Sequence, residues 1–364
     1  MHLLRLLFIL FIATACSKES DPDPPASIFY FPSIGSSTWE TTDPASLGWN
    51  TTKIAELDAF MVSTNTRAII VLKDGKMVIE KYQGKQLVNT TLDFTVSSNW
   101  YWASAGKTLT AAVIGIAEAQ GKINLQTKTS DYLGTGWTNL TLAEENKITV
   151  FHQLTMTTGL DDGVSNRDCT DPSCLMFKAE PGTRWAYHNA PYTLLDGVIA
   201  NATGKTLNNY LTDEVKSKTG MDGQYIQTGD NNVFYSTPRS MARFGLLLLN
   251  KGKWDQTQVV PQAFVNLMST TSQSMNPSYG YLTWLNGKSS HLLPAPGQIN
   301  INTAITPNAP MDMFAAMGKN GQLINVVPSQ KLVVVRIGDA PDTSLVPYVF
   351  QNDLWAKLNE IIPD

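Results

Sequence analysis

Hydrophobic residues recur at helical spacing near the start of the chain, run together in strand-like blocks at both ends, and return to helical spacing through the middle. Across residues 52–63, Ile54, Leu57 and Phe60 stand three apart, which predicts a surface helix with one apolar stripe. Two β-branched runs follow at 67–72 and 76–82, separated by Asp74-Gly75, a dipeptide suited to the left-handed backbone of a tight hairpin. A longer helix is predicted from Ser104 to Gly121, where Leu109, Ala112, Val113, Ile116 and Ala117 recur at three and four. From there to about Gly252 the chain reads as mostly helical with long connections. Strand-like runs reappear at 311–317, 322–327 and 332–337, and an amphipathic segment follows at 348–362. Strands at both ends with helices between them predict an α+β fold, in which one antiparallel sheet is flanked by the terminal helices beside a mostly helical lobe. A small-molecule cleft is expected between the sheet lobe (about 51–100 and 300–362) and the helical lobe (about 101–299).

Residues 1–15 stand apart from this pattern. They read MHLLRLLFILFIATA, with an early Arg5, an apolar run from Leu6 to Ile12 and small residues after it, the form of a signal peptide rather than a spanning helix. Cys16 follows directly, an arrangement that resembles a bacterial lipoprotein signal, in which that cysteine is lipidated and becomes the first residue. A plain cleaved signal beside an incidental cysteine is the alternative. Residues 16–50, rich in Pro, Ser, Thr and Gly, read as tether and entry loop, which leaves 51–362 as a single domain. The expectation is an exported, monomeric bacterial lipoprotein, anchored to a membrane by its N-terminal lipid in the periplasm, at the outer membrane or at the cell surface.

Composition narrows the classes. With 27 Lys+Arg against 31 Asp+Glu and a net charge of −4, the chain lacks the basic footprint of a nucleic-acid binder. Charged residues are 16%, below the roughly 25% average, and 43% are hydrophobic, so a packed core is expected and disorder is not. Four His and three Cys supply little for a metal cage, and no cofactor is expected. In an oxidising compartment Cys169 and Cys174 predict a disulfide, whose short loop contributes about 2 kcal/mol in the chain-entropy model. Two free thiols, or a metal helped by His152 or His188, are the alternatives.

Three short motifs carry chemistry. Ser104 and Lys107 form the chain's one Ser-x-x-Lys, at the start of the long predicted helix. Spacing of three puts hydroxyl and amine on one helical face, where a buried, neutral Lys can take the Ser proton. Tyr187-His188-Asn189 follows a turn at 180–185; its Tyr hydroxyl can relay a proton, and its Asn amide can bind a substrate carbonyl or the Lys. Lys319-Asn320-Gly321 follows an apolar strand, where a cation can hold a substrate carboxylate and a glycine lets an acyl group approach the backbone. Each has a bland alternative: an N-cap Ser with a solvated Lys, a buried Tyr with a turn Asn, an ordinary polar turn. A literal Lys218-Thr219-Gly220 also occurs, but it closes a helical run where Gly is the expected cap, so it reads as structure. The rings of Trp100, Tyr101, Trp102 and Trp185 read equally as acyl-pocket walls or as core.

Taken in order, Ser-x-x-Lys, Tyr-x-Asn and Lys-x-Gly resemble the serine β-lactamase and penicillin-binding-protein-like hydrolase superfamily, nearest to class C β-lactamases and the esterases and amidases related to them. The runs LTMTTGL at 154–160 and PGTRWAYHNA at 181–190 are similar to family segments, and the resemblance covers about residues 43–361. It implies a β-lactamase/transpeptidase-like fold and a serine hydrolase acting through an acyl-enzyme on a small, peptide-like, D-amino-acid or β-lactam-like amide or ester. Carried over by residue, it makes Ser104 the nucleophile, Lys107 its base, Tyr187 the proton relay, Asn189 and Lys319 substrate-positioning groups beside Gly321, and the amides of Ser104 and Gln322 the oxyanion hole. Asn320 departs from the family's hydroxyl residue, which weighs against recognition of a β-lactam carboxylate. A non-catalytic envelope-binding or scaffold lipoprotein that keeps the fold is the reading from another class.

Overall fold

A computed structural model describes residues 29–342 and 346–363. The signal-like stretch and Cys16 lie outside the described residues. The hairpin forms as its pattern predicts, with β1 (Thr66–Lys73) and β2 (Lys76–Tyr82) joined where Asp74 and Gly75 take φ 51° and 83°. A Cβ on Gly75 would lie 2.1 Å from the Tyr30 carbonyl oxygen, so this turn accepts no larger residue.

The late strands pair with that hairpin. With β3 (Trp284–Leu285), β4 (Phe314–Gly318), β5 (Gln322–Val327) and β6 (Leu332–Gly338), the sheet runs β2–β1–β6–β5–β4–β3, antiparallel throughout. Every residue of β5 and β6 is buried, because both faces of the sheet are covered. Side chains alternate across a strand, so Ile324 and Val333 share one face while Asn325 and Arg336 share the other. On the first face lies helix α3 (Pro238–Leu249), so close that a Cβ on Gly245 would stand 2.4 Å from Val333 Cγ1. On the second lies α4 (Tyr348–Asn359), where Gln351 bonds Asn325 and Phe350 lies 4.7 Å from the Arg336 guanidinium. Phe350 in turn stacks on Phe60 of α1 (Thr51–Ser63), closing the terminal-helix layer.

Three features depart from the expected division into lobes. The middle of the chain supplies α3 to the sheet and β3 to its edge, and it builds a small sheet of its own from Trp100–Tyr101, Gln224–Thr228 and Asn231–Ser236. The run expected to start at Met311 becomes strand only at Phe314, and Met311 itself is exposed. Residues 29–42 are no loose tether. They strap the edge of β2 through Tyr30 N–H to the Asp74 carbonyl, Thr42 N–H to Met77, Met77 N–H to Glu40, and the Trp39 indole to Gly75.

Between sheet and helical segments runs α2 (Gly106–Ala119), buried on all sides from Gly106 to Ala117. Its first turn is where the chemistry gathers.

Candidate active site

Ser104 sits in a single 3₁₀ turn, Ala103–Ala105, leading into α2, and Ala103 before it is held at φ 47°, a conformation rare for a residue with a Cβ. The turn is fixed from behind. Trp102 is fully buried, its indole donating to Ser236 Oγ at 2.7 Å and its N–H to the Phe234 carbonyl at 2.8 Å. Trp100 is buried too, bonded to the Gly338 carbonyl, and Trp185 packs against Tyr279 and Trp284. These three rings belong to the core.

Lys107 is buried, 4% exposed, and its Nζ lies 3.3 Å from Ser104 Oγ. The amine also rests 4.1 Å from the Tyr192 ring and 5.4 Å from that of Tyr187. Burial lowers its pKa to about 7, against a smaller upward pull from the Asp168 carboxylate. Burial pushes the Tyr187 phenol the other way, up to about 12, opposed by its hydrogen bond to Ser104 and the charge of Arg167. Near neutral pH the amine is thus available as a proton acceptor while the phenol keeps its proton to give.

Asn189 opens the short helix Asn189–Thr193 and lines the same cleft, but its amide is already engaged. Nδ2 donates to Asp168 Oδ1 at 2.6 Å, and Oδ1 is buried with no partner. Asp168 and its neighbour Arg167 carry no motif, and sequence reasoning missed both. Arg167 donates to the Tyr187 carbonyl at 2.7 Å, and its own carbonyl accepts from Ala190 N–H at 3.2 Å, so the loop is pinned on both sides of the Tyr-His-Asn segment. Cys169 and Cys174 form a disulfide immediately after Asp168. The one available signal was position: a polar residue adjoining a staple.

The Lys-Asn-Gly turn requires a correction. Lys319 is exposed and lines the cleft beside Ser104. Gly321 and Gln322 do not reach it. Gly321 is needed because a Cβ there would lie 2.6 Å from Arg336 Nη1, and that buried guanidinium donates to the carbonyls of Asn320 and Gly321. Gln322 pairs with Gly318 in the sheet and turns its side chain to Gly338. Asn320 donates to the Tyr101 hydroxyl. The glycine that meets the nucleophile is Gly318: a Cβ there would stand 2.3 Å from the Trp102 oxygen and 3.1 Å from the Ser104 nitrogen. The literal Lys218-Thr219-Gly220 ends the helix Ser217–Thr219 with Gly220 at φ 70°, as its pattern predicts.

The cleft has two arms that share Ser104, Asp168, Asn189 and Lys319. One, of about 290 Å³, is walled by Ser165, Asn166, Arg167, Tyr187 and Met317. The other, of about 300 Å³, is walled by Lys107, Tyr192 and residues 231–233. Among the described residues no group of three or more His, Cys, Asp or Glu is placed to hold a metal ion.

A family model described as Beta-lactamase matches residues 57–340. Among curated proteins, Protein flp of Staphylococcus aureus (strain MW2) is 26% identical over 158 residues, 40% of this chain and 32% of that protein. The match thus spans about a third of the length of that relative. Among solved structures, a penicillin binding protein from Bacillus halodurans superposes with a TM-score of 0.62 at 17% identity over 82% of this chain and 99% of that one. EstCE1, a hydrolase with promiscuous acyltransferase activity, gives 0.63 at 14% identity over 86% and 99%. An octameric penicillin-binding protein homologue from Pyrococcus abyssi gives 0.58 at 17% identity over 83% and 77%. At these identities the structures speak for the fold, which is β-lactamase/transpeptidase-like.

Proposed function

We propose, from the premise that this chain belongs to the beta-lactamase family and is a serine hydrolase, that it forms an acyl-enzyme on Ser104 and cleaves an amide or ester of a small or peptide-like substrate. The observation that carries this reading is the buried Lys107 amine 3.3 Å from Ser104 Oγ, its pKa brought down to about 7. As the hydroxyl attacks the substrate carbonyl, Lys107 takes its proton. The Tyr187 phenol then protonates the departing amine or alkoxide, and the same two groups activate the water that releases the acyl group. The developing oxyanion is held by the amides of Ser104 and Lys319, the second following the glycine pressed against the nucleophile turn.

Export and lipid anchoring at Cys16 complete the proposal, supported by the signal-like residues 1–15 and by the Cys169–Cys174 disulfide. No described helix is long and apolar enough to cross a membrane. Replacing Cys16 by Ser should move the protein from the membrane fraction to the soluble one, and unchanged membrane association would count against the anchor.

Intact mass after exposure to a fluorophosphonate probe tests the chemistry. A single adduct that maps to Ser104 and disappears in Ser104→Ala is expected. Folded protein that takes no adduct would remove the acyl-enzyme and favour a binding module that keeps the fold.

A further inference from the structure

Behind the Lys319-Asn320-Gly321 turn lies a buried cation bonded to no carboxylate. Arg336 stands on β6, fully buried, and all five of its guanidinium N–H groups are used. Nη1 donates to the carbonyls of Asn320 at 2.6 Å and Gly321 at 3.1 Å. Nη2 donates to the carbonyls of Thr64 at 2.7 Å and Asp339 at 2.9 Å, and Nε to the Thr66 hydroxyl at 2.9 Å. The Asp339 carboxylate is taken by Arg67 instead, at 2.6 Å. Burial lowers the Arg336 pKa to about 9, against a smaller upward pull from Tyr101, and the group stays charged at neutral pH. A charge buried in this way costs more in lost hydration than an apolar side chain of similar size, so its contribution lies in where it holds the chain.

What it holds is the turn. Each carbonyl shares a rigid plane with the next N–H, so fixing the Asn320 and Gly321 carbonyls fixes two of the peptide planes that follow Lys319. Asn320 sits at φ 65°, and Gly321, at φ 75°, lacks the Cβ that would meet Nη1 at 2.6 Å. On the other side the Asn320 amide donates at 2.7 Å to the hydroxyl of Tyr101, three residues ahead of Ser104. The turn is thus clamped between the guanidinium and the strand that leads to the nucleophile, with Lys319 lining the cleft. We infer that Arg336 is a positioning residue of the reaction: by holding this turn from behind, it sets where the Lys319 amide stands against Ser104 and so how well the oxyanion is held. The inference rests on the acyl-enzyme reading, in which that amide is the second oxyanion donor. A displaced donor binds the transition state less well, so the rate and the affinity for a transition-state analogue fall together.

Arg336→Lys tests it, because lysine keeps the charge but replaces a rigid fork by a single point. With p-nitrophenyl acetate, kcat/KM should fall about tenfold to a hundredfold. Phenylboronic acid, which adds to a serine hydroxyl as a tetrahedral anion, reads the same site without turnover, and its Ki should rise by the same factor. The pH at which kcat/KM levels off should stay where Lys107 sets it, near 7. A variant that only loses folded protein lowers the rate and leaves Ki where it was; that outcome would assign Arg336 to stability alone and overturn the inference. A folded variant that matches the wild type in both readouts overturns it as well. Should Arg336→Lys not fold, Thr66→Val takes one acceptor from the guanidinium and leaves the turn itself untouched. About a threefold change in both readouts is then expected, the weight of one hydrogen bond, and no change in either overturns the inference. If the wild type takes neither ester nor boronate at Ser104, the acyl-enzyme reading fails and this inference fails with it.

Discussion

The two walls of the cleft are held by different physics. Ser104 and Lys107 stand at the head of a helix buried on all sides, backed by two fully buried tryptophans and pressed by Gly318 of the central sheet. Opposite them Tyr187 is packed on Tyr279 and Trp284 and Asn189 opens a single-turn helix, while Asp168 stands on irregular chain. The three are joined by a guanidinium, one amide–carboxylate bond and a short disulfide loop. Dense packing fixes position through many weak contacts and tolerates the loss of one. A loop held by a few polar bonds and a staple, as the one carrying Asp168 is, depends on each of them. The nucleophile is accordingly built into the core, while Asp168, which holds Asn189, is built on a polar loop.

The sharpest way to separate the walls is Lys107→Met. Acylation should fall by about 10²–10⁴-fold, the range for loss of a general base, read as the rate of fluorophosphonate labelling. The same change should raise stability. A buried Lys whose pKa falls to about 7 when folded binds fewer protons than in the unfolded chain, so it weakens the fold throughout neutral pH, and the penalty fades only as pH rises towards the unfolded value near 10.4. Removing the amine should therefore raise Tm by several degrees at pH 7, and a lower Tm would contradict the account of how it is buried. Opening Cys169–Cys174 by Cys169→Ser and Cys174→Ser together comes next. About 2 kcal/mol of loop closure is lost, and labelling should fall about tenfold as the substrate-orienting wall loosens. A loss matching that of Lys107→Met would mean that the staple supports the nucleophile as well. In the intact protein, labelling should climb about tenfold per pH unit below pH 7 and level off above it as Lys107 loses its proton, whereas a flat profile would place the base elsewhere. The smallest effect belongs to Lys218→Ala in the literal Lys-Thr-Gly, whose Nζ pairs with Glu214 four residues back; labelling should stay within about twofold, as for a surface helix pair.

How much of this was legible depends on how local each determinant is. The hairpin was legible because alternation and Asp74-Gly75 are properties of a few adjacent residues, and Ser104–Lys107 because helical spacing alone brings them together. The burial of both sheet faces was not. The helix end marks Lys218-Thr219-Gly220 as structure from local sequence alone, whereas nothing local distinguishes Gly318, which meets the nucleophile turn, from Gly321, which does not. Both glycines are required by close approaches that exist only once β4 and β5 are in register, one to the nucleophile turn and one to Arg336. Asp168 left no trace because its partner Asn189 lies 21 residues away along chain that follows no period. Hydrophobic patterning reports on elements, and Asp168 lies in none.

The strap over β2 has a consequence for reach. Residues 30–42 are bonded along the edge of β2 and its hairpin turn, so this part of the expected tether moves with the sheet. With a lipid at Cys16, as proposed, thirteen residue steps would separate the anchor from Phe29, a distance of no more than about 45 Å even at full stretch. The cleft would then patrol a thin shell above the bilayer, and its substrates would have to come to that shell, by diffusion or because they are themselves moored there.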